Sequence, residues 1–145
     1  MKNISYIHSD MFNFLSLALS QKDLKKRSIN DLCKFTIQQI KTISKKNIIF
    51  PTYNYNFTKT KNFDYFHDTS QVGSLSEYFR KLYKDNRSLV PVFSDCSNSK
   101  FLKKIKTKFP LGKNSVFEIL KNNNSNIIFF GTKFAPSFIM HIEHC

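Results

Sequence analysis

The sequence predicts an α/β fold, a mixed β-sheet with helices packed on its faces. Three observations carry that expectation. Short apolar runs at residues 4–7, 48–50 and 127–130 have the length and Ile/Phe content of buried strands. Between them, apolar residues recur at helical spacing, most clearly from Ile29 to Ile43 and from Leu75 to Leu82. Strand, helix and strand then alternate at the spacing expected of helices layered on a sheet.

Each element has a local cause. The first strand, 4–7, ends at His8-Ser9-Asp10, and a helix-like series (Phe12, Leu15, Leu19) follows. Ser9 or Asp10 suits an N-cap, and backbone N–H groups at such a turn attract anions. Residues 20–28 are polar and basic and read as a surface loop or insertion. Ser28 and Asp31 have capping-box spacing, and Ile29, Leu32, Cys33, Ile37, Ile40 and Ile43 form one helical face behind them. Ile48-Ile49-Phe50 is a buried strand closed by Pro51, and residues 58–70 read as a loop.

The chain is organised around residues 71–94. Ser74 and Glu77 again have capping-box spacing, and Leu75, Tyr78, Phe79 and Leu82 form the apolar face of a helix, with Arg80, Lys81, Lys84 and Asp85 on the opposite face or its edges. Residues 89–94 read as extended, and Pro91 removes a ladder donor, so an edge or bulged strand is expected there. DCSNSK, after Ser94, is polar. Phe101, Leu102, Ile105 and Phe109 suggest a short amphipathic helix ended by Pro110. Gly112 and a cap at Asn114 or Ser115 start a helix carrying Phe117 and Leu120. A polar turn at 122–126 leads to the last strand, and Gly131 permits a tight exit.

At 145 residues the chain suits one domain with one core. Its formal net charge is +13, which favours an anionic partner. Lys far outnumbers Arg, and the abundance of Lys, Asn, Ile, Phe and Tyr also fits an AT-rich coding sequence with lysines as solvated surface. Lysines interleaved with Tyr and Phe would suit a nucleic-acid-binding module. They are spread along the chain, however, without an RNP, KH or helix-turn-helix signature, so no nucleic-acid partner is expected. Cys33, Cys96 and Cys145 have no metal-ligand spacing, and Cys33 reads as a small core residue. No apolar run is long enough to span a bilayer. A cytoplasmic chain with reduced thiols and no membrane partner is expected.

The motif G-x-LSEYFRK followed by RS-x-x-P-x-F-S resembles the aminoglycoside 3-N-acetyltransferase family, the antibiotic N-acetyltransferases. Val90 stands where that family usually has a His. HSDMFNF, IIFPTYNYNF and LG-x-x-S-x-F-x-x-L resemble further family motifs, in the family's order. The resemblance implies acetyl transfer from acetyl-CoA to an amine of an amino sugar, an aminoglycoside or a sugar-nucleotide precursor of a surface polysaccharide. It implies a CoA site at His8, Ser9, Asp10, Arg87, Ser88 and Ser115. It also implies a single partial domain over 1–145, a truncated member incomplete at its carboxyl end. The exposed sheet edge or helix face that this leaves implies poor solubility or self-association, a homo-oligomer being one form of it.

Acetyl transfer needs a base to take a proton from the amine, donors for the oxyanion and a grip on the cofactor's phosphates. The family's base is the His of T-x-x-H-x-x-E. Here the ungapped match, SFIMHIE, places Met140 at the base and Glu143 at the Glu, and a thioether takes no proton. A register shifted by one lets His141 stand in, with Glu143 one residue early and off its face. His141 and Glu143 are therefore the catalytic candidates, and a non-catalytic remnant is the other reading. Arg87 suits a CoA phosphate or a buried carboxylate. Ser88 and Ser94 suit a phosphate or strand-end backbone groups. Asp10 suits an N-cap or a substrate contact. The positive charge disfavours a polycationic aminoglycoside and suits an anionic sugar nucleotide.

Overall fold

The computed structural model describes residues 3–105 and 109–145. Four strands, β1 (Ile4–Ser9), β2 (Asn47–Pro51), β3 (Asp95–Ser97) and β4 (Asn126–Phe130), form one sheet in the order β3-β2-β1-β4. β1 runs parallel to both β2 and β4, and β3 pairs antiparallel with β2. The sheet is mixed, as the sequence predicts.

Residue parity sorts the side chains between two cores. On one face Ile7, Ile48 and Phe50 meet helices α1 (Met11–Ala18), α3 (Ile29–Ile43) and α5 (Ser74–Leu82) through Met11, Leu15, Ile37, Ile40 and Phe79. On the other, Ile4, Tyr6 and Ile49 meet α6 (Phe101–Ile105), α7 (Val116–Asn122) and α8 (Pro136–Glu143) through Leu102, Phe117, Leu120 and Phe138. Burial on both faces explains why β1 and β2 read as continuous apolar runs. Each fully buried Leu, Ile or Phe contributes about 1.5–3 kcal/mol.

The caps hold the helices where the sequence predicts them, with corrections. Asp10 caps α1, its Oδ1 accepting from Asn13 N at 3.0 Å. Ser28 and Asp31 form the capping box of α3, and Ser115 caps α7. Residues 20–28 are not simply a loop. Ser20 caps a further helix, α2 (Gln21–Lys26), whose polar composition hid it because none of its residues is buried. A short α4 (Phe57–Thr60) interrupts the 58–70 loop.

The capping box expected at Ser74 does not form. Gly73, at φ 112°, is the N-cap of α5, and no side chain caps that helix. Glu77 instead accepts from Ser70 N at 2.7 Å and holds Arg80 at 2.7 and 2.8 Å. Burial alone would raise the Glu77 carboxyl, but the Arg80 fork and the Ser70 amide overcome it and hold it below its ordinary value. Arg80, expected on the opposite face or its edge, is buried and also donates to Phe66 O.

The edge strand expected at 89–94 is irregular. Val92 sits at φ 66° and only an isolated bridge joins it to Asn54. The strand falls instead on Asp95–Ser97, inside the polar stretch. Its side chains are fully buried, and Asp95 and Cys96 find partners in Tyr6 and in Tyr83 O. The helix starting at Phe101 is described to Ile105; its expected continuation to Phe109 passes through 106–108, outside the described residues.

Gly131 closes β4 at φ 69° and is the point where two backbones touch. A Cβ there would run into Asp10 O and Phe14 Cβ. Asp10 O cannot yield, because it accepts Phe14 N in the first turn of α1. Gly131→Ala is expected to destabilise by about 3 kcal/mol from left-handed strain plus overpacking, read as a lower urea midpoint. An unchanged midpoint would show that the turn relaxes freely.

Candidate active site

The chain leaves β1 for β2 through α3 on one face and enters β4 from α7 on the other. β1 and β4 are neighbouring parallel strands whose connecting helices lie on opposite faces of the sheet, and such sheets bind ligands beyond the carboxyl ends of the strands at that point. His8-Ser9-Asp10 stands at that end. Asp10 N donates to Phe130 O at 2.9 Å, and Asn13 Nδ2 reaches Gly131 O at 2.5 Å, so the exits of β1 and β4 are tied together.

His8 and Ser9 are consecutive strand residues and face opposite sides. Ser9 opens into a cleft of about 390 Å³ lined also by Asp10, Met11, Gly73, Ser74 and Thr132. The first turns of α1 and α5 converge there, and the uncapped start of α5 leaves its amides without a side-chain partner. His8 opens into a second, more apolar cleft of about 200 Å³, shared with Tyr53, Phe117, Ser137, Phe138 and His141.

The two imidazoles differ in setting. The His8 ring lies edge-on to Phe138 at 4.4 Å and stacks on Phe129 at 5.5 Å. Its Nε2 is buried without a hydrogen-bond partner among the described residues, and burial lowers its pKa, favouring the neutral ring. His141 is exposed, with its ring 5.8 Å from that of Phe117. Met140 is 53% exposed and does not border the cleft. Glu143, two residues after His141, is exposed and does not border it either. His8 and His141 are brought together at one cleft; His141 and Glu143 are not.

Three predicted cofactor residues are placed elsewhere, as buried braces. Arg87 is 0% exposed. It donates to Ser94 Oγ at 3.0 Å, Thr52 O at 2.7 Å, Asp68 O at 2.5 Å and Tyr65 O at 3.2 Å. Burial, with the charge of Arg80 nearby, lowers its guanidinium to about 10. A CoA phosphate has no open path to a group so enclosed. Ser88 Oγ accepts from Asp95 N at 2.9 Å, and Ser115 Oγ bonds Gly112 O at 2.5 Å in capping α7. Neither borders either cleft.

A family model described as aminoglycoside 3-N-acetyltransferase matches residues 35–144. The chain belongs to this family. At the level of the family its activity is aminoglycoside N-acetylation. No curated protein and no solved structure matches the chain. The matched stretch of this acetyltransferase family member contains Arg87, Ser88, Ser115, His141 and Glu143, while His8, Ser9 and Asp10 lie ahead of it. No described helix is long and apolar enough to cross a membrane.

One feature of the family member's site was not legible in its sequence. Tyr6 Oη donates to Asp95 Oδ1 at 2.7 Å and lies 3.0 Å from Tyr53 Oη. Burial pushes the Asp95 carboxyl up to about 7, against the hydrogen bond of Tyr6 and the attraction of Arg87. Burial also raises both phenols, with the nearby Asp95 adding to it. Asp95 sits in what reads as a polar stretch and Tyr6 in what reads as an apolar strand, so neither residue type signalled the pairing.

Proposed function

We propose that this chain transfers an acetyl group from acetyl-CoA to an amine of an amino sugar, with His141 as the base. Family membership supports the reaction class. The observation that carries the site is the cleft beyond the carboxyl end of β1, bordered by His141 and His8. Ser9, Asp10 and the two helix starts on the opposite face suit the phosphate-bearing part of CoA. In the transfer, the amine nitrogen bonds the acetyl carbon and the carbon–sulfur bond breaks. His141 takes the proton released by nitrogen, and the departing thiolate takes one in return. The net charge of +13 supports an anionic sugar nucleotide as acceptor over a polycationic aminoglycoside.

A second reading, a CoA-binding chain without turnover, is supported by the absence of Glu143 from the cleft, which leaves His141 without the expected orienting carboxylate. Calorimetry with acetyl-CoA, followed by thiol detection with kanamycin and with an amino-sugar nucleotide, separates the two. Binding with thiol release is the expected result. Binding without release favours the second reading, and no acetyl-CoA binding overturns both.

A further inference from the structure

Asp95, Tyr6 and Tyr53 form a chain of hydrogen bonds from the buried edge of the sheet to the cleft of His8 and His141. Tyr6 has one hydroxyl proton, and it is committed to Asp95 Oδ1 at 2.7 Å. With Asp95 ionised, the 3.0 Å contact between the phenols therefore has Tyr53 as donor and Tyr6 as acceptor. Tyr53 in turn lines the cleft. Its proton points inward, so what it can offer a ligand is an oxygen lone pair.

We propose that Tyr53, oriented through Tyr6 by Asp95, accepts a hydrogen bond from the N–H of the acceptor amine and so selects for it. The proposal rests on the acetyl-transfer reading and adds the group that positions the acceptor. Each hydroxyl in such a chain polarises the next, so a carboxylate at its inner end makes Tyr53 Oη a better acceptor. A ligand group with only lone pairs, such as a carbonyl or carboxylate, finds no donor there. Tyr53 is the binding residue; Tyr6 and Asp95 are positioning residues.

The titratable and charged groups around Asp95 are Tyr6 from β1, Tyr53 beyond β2, Arg87 ahead of β3 and the neighbouring Cys96 on β3 itself. With its carboxyl pushed up to about 7 by burial, Asp95 ionises as pH rises through neutrality, and the directed chain forms on the alkaline side.

The test titrates UDP-glucosamine, an anionic amino-sugar nucleotide with a free amine, into the full chain with CoA bound, by calorimetry, alongside acetyl-CoA affinity and thiol release. Tyr53→Phe is expected to weaken UDP-glucosamine about tenfold, the size of one hydrogen bond, with acetyl-CoA affinity unchanged within about twofold. Asp95→Asn is expected to remove the rise in UDP-glucosamine affinity through pH 7 that the unaltered chain shows. If that variant does not fold, Tyr6→Phe cuts the same chain. Unchanged UDP-glucosamine affinity in Tyr53→Phe, or no UDP-glucosamine binding by the unaltered chain, overturns the proposal. UDP-glucosamine binding that weakens in Tyr53→Phe without any thiol release upholds it while sinking the transfer reading.

Discussion

Replacing Arg87 with methionine is expected to destabilise the chain by about 3–5 kcal/mol, the cost of breaking a buried charged network from one side. Methionine fills similar volume but donates nothing. Thr52 O keeps a bond from Ser94 Oγ at 2.8 Å, whereas Tyr65 O and Asp68 O lose the guanidinium donor. The ring of Phe63 also loses a cation 5.1 Å from its centre. The damage reaches the site, because the residue after Thr52 is Tyr53, which lines the cleft. Arg87→Lys is expected to recover less than half of the loss, since an ammonium cannot serve a guanidinium's fork. Urea unfolding measures the loss, and hydrogen exchange at residues 61–72 shows whether that loop is what comes loose. A midpoint unchanged in Arg87→Met would mean that the network is not what ties the loop to the sheet.

His141→Gln is expected to lower kcat by at least ~100-fold, with acetyl-CoA affinity unchanged. Glutamine has a comparable reach but cannot take a proton. The change lies on an exposed position of α8, so folding is expected to survive. His8→Gln is the companion. Burial already lowers the His8 pKa, so protonating it opposes folding. Its contribution to stability is full above the ordinary His value and is lost as pH falls through the lowered one. His8→Gln is expected to abolish that acid-side loss while leaving the pH profile of kcat in place. A rate that collapses in His8→Gln and persists in His141→Gln would move the base to His8.

The fold was largely legible because its signals are local. Ile-rich runs marked β1, β2 and β4, and the Ser28–Asp31 pair marked the start of α3 within one turn. Where a local signal had a non-local competitor, it misled. Ser74 and Glu77 have capping-box spacing, but the carboxylate is drawn to Ser70 N and Arg80, and Gly73 takes the cap. Residues 89–94 have strand composition, yet the ladder forms one step later, where Asp95 can reach Tyr6. The site was less legible. Arg87 and Ser88 belong to the RS-x-x-P-x-F-S motif and are nonetheless braces, because a motif records which residues recur together and not which way they face.

By itself the sequence determined the class of fold, most helix starts and the family, since these depend on residue spacing over a few turns or on ordered motifs. Only the tertiary structure decided that His8 and His141 share a cleft, that Arg87 is enclosed, and that Tyr6 bridges Asp95 and Tyr53. Those contacts join residues 35 positions apart at Thr52 and Arg87 and 89 apart at Tyr6 and Asp95. Strand order and parity set which of them meet, and no pattern within a single segment encodes that choice.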